Sequence, residues 1–252
     1  MGIPTQIDVR VVAKGGKYLG DDIGGALVTI RDVRTRELLA NGKTAGGSGQ
    51  QNLMDLCLTR AQILPVDEAS VFTASLDLDE PRLLRISAYG PLAAQKSAHT
   101  VSMTQWVYPG KNITGDAKGG GFLLEIPGLI VQVLNPPTHY LPQTAPPAIE
   151  IRANVTMMCG CPIGTAYPSW LPDEFEVTAV IRQPGENASI ELPLKYDANA
   201  QYKAPSQFTA MWQVPKNETG QPAIYGITVS AFQRKTGNTG VDKATVIIPQ
   251  AF

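Results

Sequence analysis

An all-β chain of two consecutive β-sandwich domains with one short helix is what this sequence predicts, and three observations predict it. Apolar and polar residues alternate at period two through most of the 252 residues, as half-buried strands require. The alternating runs are short and are separated by clusters drawn from 24 glycines and 20 prolines, the residues that make turns. Only one segment, 51–60, has helical spacing, with Leu53, Leu56 and Cys57 on one face. Without long helices a Rossmann or barrel fold is excluded, and most cofactor-dependent enzyme classes with it.

The first strands read 7–12, 26–32 and 37–40, with turns at Lys14-Gly15-Gly16, Asp21-Asp22 and Asn41-Gly42. The run Gly24-Gly25-Ala26-Leu27-Val28-Thr29-Ile30 is followed by Thr35-Arg36-Glu37-Leu38-Leu39-Ala40-Asn41-Gly42-Lys43-Thr44. Together they resemble the strand and hairpin signature of the transthyretin-like and carboxypeptidase-regulatory-like β-sandwiches. Arg36 stands where that family usually has glycine. The resemblance covers about forty residues and implies a fold, not an activity.

Gly46-Gly47-Ser48-Gly49 is a turn and not a phosphate loop, because no Gly-Lys-Ser/Thr follows it. Cys57, on the helical face, reads as a small buried hydrophobe. Strands resume at 71–76, 83–90, 102–108 and 121–134. Asp77, Asp79 and Glu80 lack the glycine and distal carboxylate of an EF-hand loop and read as a solvated turn. Residues 135–147 then pack Pro136, Pro137, Pro142, Pro146 and Pro147 around His139. Such a stretch is stiff and extended, which sets the expected division: a first sandwich over 1–134, a proline-rich linker over 135–147 and a second sandwich over 148–252.

The second domain reads as strands at 150–158, 175–183, 189–194, 207–213, 225–233 and 243–248, close to a seven-strand sandwich pattern. Its last hairpin, 225–240, resembles the terminal hairpin of bacterial immunoglobulin-like domains, with Gln233 where aspartate usually stands.

The net charge is −1 with both signs dispersed, so no basic track exists for nucleic acid. The longest apolar run, 122–134, is interrupted by Glu125, Pro127 and Gly128 and falls short of the roughly twenty residues a membrane span needs. No signal peptide precedes the first strand, and a mature exported domain with a replaced start reads the same way. With few charges and many turns, the composition points to a periplasmic or secreted chain.

Asn154-Val155-Thr156-Met157-Met158-Cys159-Gly160-Cys161-Pro162 concentrates the chemistry, placing four sulfur side chains within five residues at a strand end. Three roles stay open. Met157, Met158, Cys159 and Cys161 form a ligand set for a soft metal, with Cu(I) as the ion that two or three sulfurs would satisfy; zinc would need a fourth ligand. The two thiols also suit redox exchange. The third role is structural, with one thiol pairing with Cys57 or all three cysteines inert. In an enzyme, Cys159 or Cys161 would act with His139, or with Asp173 or Glu174, in a cleft at the domain junction. Tyr167 and Trp170, in a proline-rich loop, form a candidate ligand surface.

The leading expectation is an extracytoplasmic binding or accessory protein that presents the sulfur loop to copper, a small ligand or a protein partner. The alternatives are a lyase, isomerase or hydrolase without an organic cofactor, and a structural protein that assembles into homo-oligomers through its sandwich faces.

Overall fold

The computed structural model describes residues 2–49, 69–115, 121–166, 169–198, 205–217 and 221–250. The described residues are 57% strand and 3% helix, and the chain divides into two compact units. Unit 1 is Met1–Gly128 together with Met158–Cys161, and unit 2 is Leu129–Met157 together with Pro162–Phe252. The helix expected over 51–60, and Cys57 on it, lie outside the described residues.

Unit 1 contains β1 (Ile3–Ala13), β2 (Leu27–Asp32), β3 (Leu38–Lys43), β4 (Phe72–Leu78), β5 (Arg82–Gly90), β6 (His99–Val107) and β7 (Phe122–Ile126). They form a three-stranded sheet in the order β4-β1-β7 and a four-stranded sheet in the order β3-β2-β5-β6. Strand β1 is central in the smaller sheet, antiparallel to β4 and parallel to β7. Alternation does the burying: Ile7, Val9 and Val11 from β1, and Val28, Ile30 and Ile86 from the other sheet, are removed from solvent completely. The β2–β3 hairpin turns with Arg36 at φ 66°, so an arginine occupies the left-handed position that glycine fills more easily. Asp32 holds that turn: its Oδ1 accepts the amides of Arg34 at 2.7 Å and Thr35 at 2.8 Å.

Unit 2 contains β8 (Leu129–Asn135), β9 (Ala148–Met157), β10 (Phe175–Arg182), β11 (Ile190–Pro193), β12 (Lys195–Tyr196), β13 (Gln207–Gln213), β14 (Ala223–Gln233) and β15 (Asn238–Ile248). Its sheets run β12-β13-β9-β8 and β11-β10-β14-β15. Lettered A, B, C, C′, D, E, F and G in chain order, these strands give sheets D-E-B-A and C′-C-F-G, the immunoglobulin arrangement with one added strand. Trp212 and Tyr225 meet edge to face in the core at 5.0 Å. In the β14–β15 hairpin, Gln233 replaces the aspartate of similar hairpins. Its Oε1 accepts from Thr236 Oγ1 at 2.6 Å and Asn238 Nδ2 at 3.3 Å.

Two sequence expectations meet a different organisation. The run 121–134 is two strands, because Pro127 supplies no amide and Gly128 sits at φ 121°. Its second half, β8, pairs antiparallel with β9 and so goes with unit 2. Residues 135–147 are therefore an internal connection of unit 2 and not a linker between domains. Tyr140 ties this connection to β15, donating its amide to Thr245 O at 2.9 Å and accepting from Ile247 N at 2.8 Å.

Candidate functional site

Strand β9 alternates to its end, so Met157 faces inward opposite Leu129 and is wholly buried. The chain then leaves the ladder in a turn at Met158 and Cys159 and returns at Pro162, which bridges back to Thr156. The intervening residues, Met158–Cys161, pack into unit 1. Gly160 permits the excursion: it sits at φ 78°, and a β-carbon there would lie 3.2 Å from Ile23 Cδ1.

Unit 1 prepares a seat for Cys159. After β1 the chain turns tightly, with Ala13 N bonded to Lys17 O and Gly16 N to Ala13 O. The amide of Lys17 then donates to Cys159 Sγ at 3.3 Å. A β-carbon on Gly16 would stand 3.1 Å from the same sulfur and 2.9 Å from Ala13 Cβ. Gly15, at φ 63°, suits the left-handed step of the turn, and the hydrogen side chain of Gly16 clears both Ala13 Cβ and the sulfur.

The two thiols are free of disulfide and act as one titrating pair. Cys161 donates a hydrogen bond to Cys159, which is the largest cause holding Cys159 below the ordinary thiol range. Burial opposes that shift, while the amides of Lys17, Cys161 and Cys159 itself reinforce it. Cys161 is pushed far upward, first by donating to Cys159, then by burial and by the charge on Cys159; nearby Lys17 acts against the shift and Asp22 adds to it. The first proton the pair loses therefore comes from Cys159, whose thiolate then accepts from the Cys161 thiol.

The loop is not presented to solvent. Met157 and Cys159 are 0% exposed, Met158 1% and Cys161 8%. This corrects the expectation of a displayed sulfur loop, and the reason is that thioethers and thiols behave as soft hydrophobes and fill a core well. The ligand set is also divided, with Met157 in unit 2 and Met158, Cys159 and Cys161 in unit 1. Among the described residues no three His, Cys, Asp or Glu side chains converge to hold a metal ion.

Trp170 is 2% exposed and its carbonyl accepts from Gly164 N at 3.1 Å, so it is a core indole and not a ligand surface. Tyr167 lies outside the described residues. His139 is exposed in unit 2, in the left-handed region at φ 63°. Asp173 is exposed and Glu174 half-buried in a single 3-10 turn, Pro172–Glu174. Sequence reading missed Lys17, Gly16 and Ile23, all more than 130 positions from the cysteines. Their one signal was the second glycine of the Lys14-Gly15-Gly16 turn.

No protein-family model matches the chain, and no curated protein matches it in sequence. Solved structures to which it is similar include the following three. The FN1–FN3 domains of chicken CNTN1 share 12% identity with a TM-score of 0.29, covering 100% of this chain and 64% of that one. The chicken interferon gamma receptor alpha chain shares 9% identity at TM-score 0.35, covering 98% of each. The fibronectin(III)-like modules of Clostridium thermocellum CbhA share 10% identity at TM-score 0.28, covering 99% and 95%. The chain spans 64% of the length of the first of these. TM-scores this low carry no argument, and the fold assignment rests on the strand order. Among the described residues no helix is long and apolar enough to cross a membrane.

Proposed function

We propose that this chain is a non-enzymatic accessory protein of the periplasm or extracellular space, and that its Cys159–Cys161 pair takes a soft monovalent ion, Cu(I), as a bis-thiolate. The observation that supports the reading is the sulfur pair itself, in which Cys161 donates to Cys159 and favours its ionised form. A thiolate accepting from a thiol carries a single negative charge, and two thiolates holding Cu(I) carry the same one. Exchanging the proton for the monovalent ion thus leaves the buried charge unchanged, whereas a divalent ion would alter it and ask for more ligands. The Lys17 amide stabilises sulfur charge in both states. Cys161 is the more exposed of the two cysteines, at 8%, and Met158, next to Cys159 along the chain, offers a third soft atom.

The test is anaerobic competition for Cu(I) between the reduced protein and a chromophoric chelator. One ion bound per chain, lost in Cys159→Ser and in Cys161→Ser, is the expected result; failure of the wild-type protein to withdraw copper from the chelator sinks the reading.

A second reading, assembly of like copies, is favoured by a different observation. Trp106 and Tyr108 are 55% and 54% exposed at the end of β6, an edge strand of its sheet. Exposed aromatics of that size mark contact surfaces. Sedimentation at rising concentration decides it, since a constant monomer mass removes this alternative.

A further inference from the structure

The outer face of the β4-β1-β7 sheet buries a charge that has no paired group among the described residues. Arg10 points to that face, opposite in sense to the core residues Val9 and Val11, yet it is only 8% exposed. Its Nε and Nη1 are buried, and among the described residues neither has a hydrogen-bond partner. A guanidinium cannot shed its proton to escape such a position. Leaving a buried charge unpaired is among the costliest arrangements a fold can hold.

Among the described residues the neighbouring groups do not bond to these nitrogens. Asp8, two residues earlier on the same face, is committed to Thr73 Oγ1 at 2.6 Å and the amide of Gly115 at 2.9 Å. Glu125 lies across from Val12 on β7 and is exposed. Tyr18, which bridges to Val12 beside Arg10, could balance the charge only as a phenolate. Burial raises it above the ordinary phenol range, and the pull of Arg10 in the other direction is the smaller effect. Tyr18 is thus a neutral phenol beside a buried cation.

We infer that Arg10 is the anchor of a binding site for a small oxyanion, a carboxylate or a phosphate, on the outer face of the three-stranded sheet, with the Tyr18 phenol at its side. The slight exposure of Arg10 limits what can reach it to a free anion or a single terminal anionic group. The site is independent of the thiol pair, so either can fail without the other.

The test is thermal unfolding of the full chain at neutral pH in sodium chloride, sodium phosphate and sodium acetate of equal ionic strength, with calorimetric titration of the same anions. Phosphate or acetate should raise the midpoint by several degrees over chloride in a saturable way. Arg10→Gln should abolish the gain and weaken binding at least tenfold. A response to phosphate alone assigns a tetrahedral oxyanion, and one to acetate alone a carboxylate terminus. If neither anion outperforms chloride, or if the gain survives in Arg10→Gln, the inference is overturned. Should the variant fail to fold, arginine Nε–H resonances of the wild-type protein decide. One signal moving saturably with phosphate or acetate supports the site, and none moving removes it.

Discussion

At Gly16 a hydrogen stands where any other residue would press a carbon into Cys159 Sγ, 3.1 Å from its built position. Gly16→Ala is therefore expected to cost about 1–3 kcal/mol, the usual range for overpacking, in urea unfolding. It should also lift the sulfur from the Lys17 amide. The thiol pair has its own signature: with the third cysteine removed as Cys57→Ser, absorbance at 240 nm against pH should show one thiolate forming below the ordinary thiol range, and no second one until far above it. In Cys161→Ala, which removes the donor, the low ionisation should move up, because the thiol that donates to Cys159 is the largest cause of its shift. A curve with both thiols ionising together near their ordinary value would disprove the coupling of the pair. At this scale the sequence showed the ligating atoms but not their environment. Met-Met-Cys-Gly-Cys-Pro is visible in any reading, whereas its burial depends on a turn that period and spacing do not link to it.

Elements were the most legible level, because alternation and turn chemistry act locally. Strands β1, β2, β5, β9 and β14 stand close to where periodicity puts them, and the β14–β15 hairpin closes around Gln233 much as its resemblance implied. The failures have a common cause. The run 121–134 is mostly apolar, and only Pro127 and Gly128 in its pattern separate β7 from β8. The prolines of 135–147 suggested a free spacer, but the one amide that matters there belongs to Tyr140. The β2–β3 hairpin makes a pH prediction. Asp32 is held below the usual carboxylate range, first by the Thr35 amide and then by Arg34 and Arg82, against the cost of burial. A depressed carboxyl adds stability that is present above its unfolded value of about 3.9 and is lost as pH falls through the lower folded value. Wild-type protein should therefore exceed Asp32→Asn in urea midpoint at pH 6, with the gap closing below about pH 3; a gap constant down to pH 2 would refute that role for the carboxylate.

For the whole molecule, composition and turn density were enough to indicate an all-β chain of two sandwiches, because both depend on averages. The division between them was not legible, since it is discontinuous: Met158–Cys161 belongs to unit 1 although the strand that carries it belongs to unit 2. A fragment ending at residue 128 should thus lack part of its own structure. The amide of Lys17 loses its sulfur acceptor there, and its hydrogen exchange should quicken about tenfold relative to the full chain, as loss of one modest hydrogen bond allows; equal protection in both would show that the segment contributes nothing. The same interleaving bears on synthesis. A ribosome delivers residues at about 5–20 per second, and domains ordinarily complete in the order they emerge. Here the first sandwich stays unfinished until Cys161 has emerged, by which time two strands of the second are already outside. Translation order and completion order therefore differ in this chain, and a pause after residue 128 would hold the nascent protein with the Cys159 seat formed and empty.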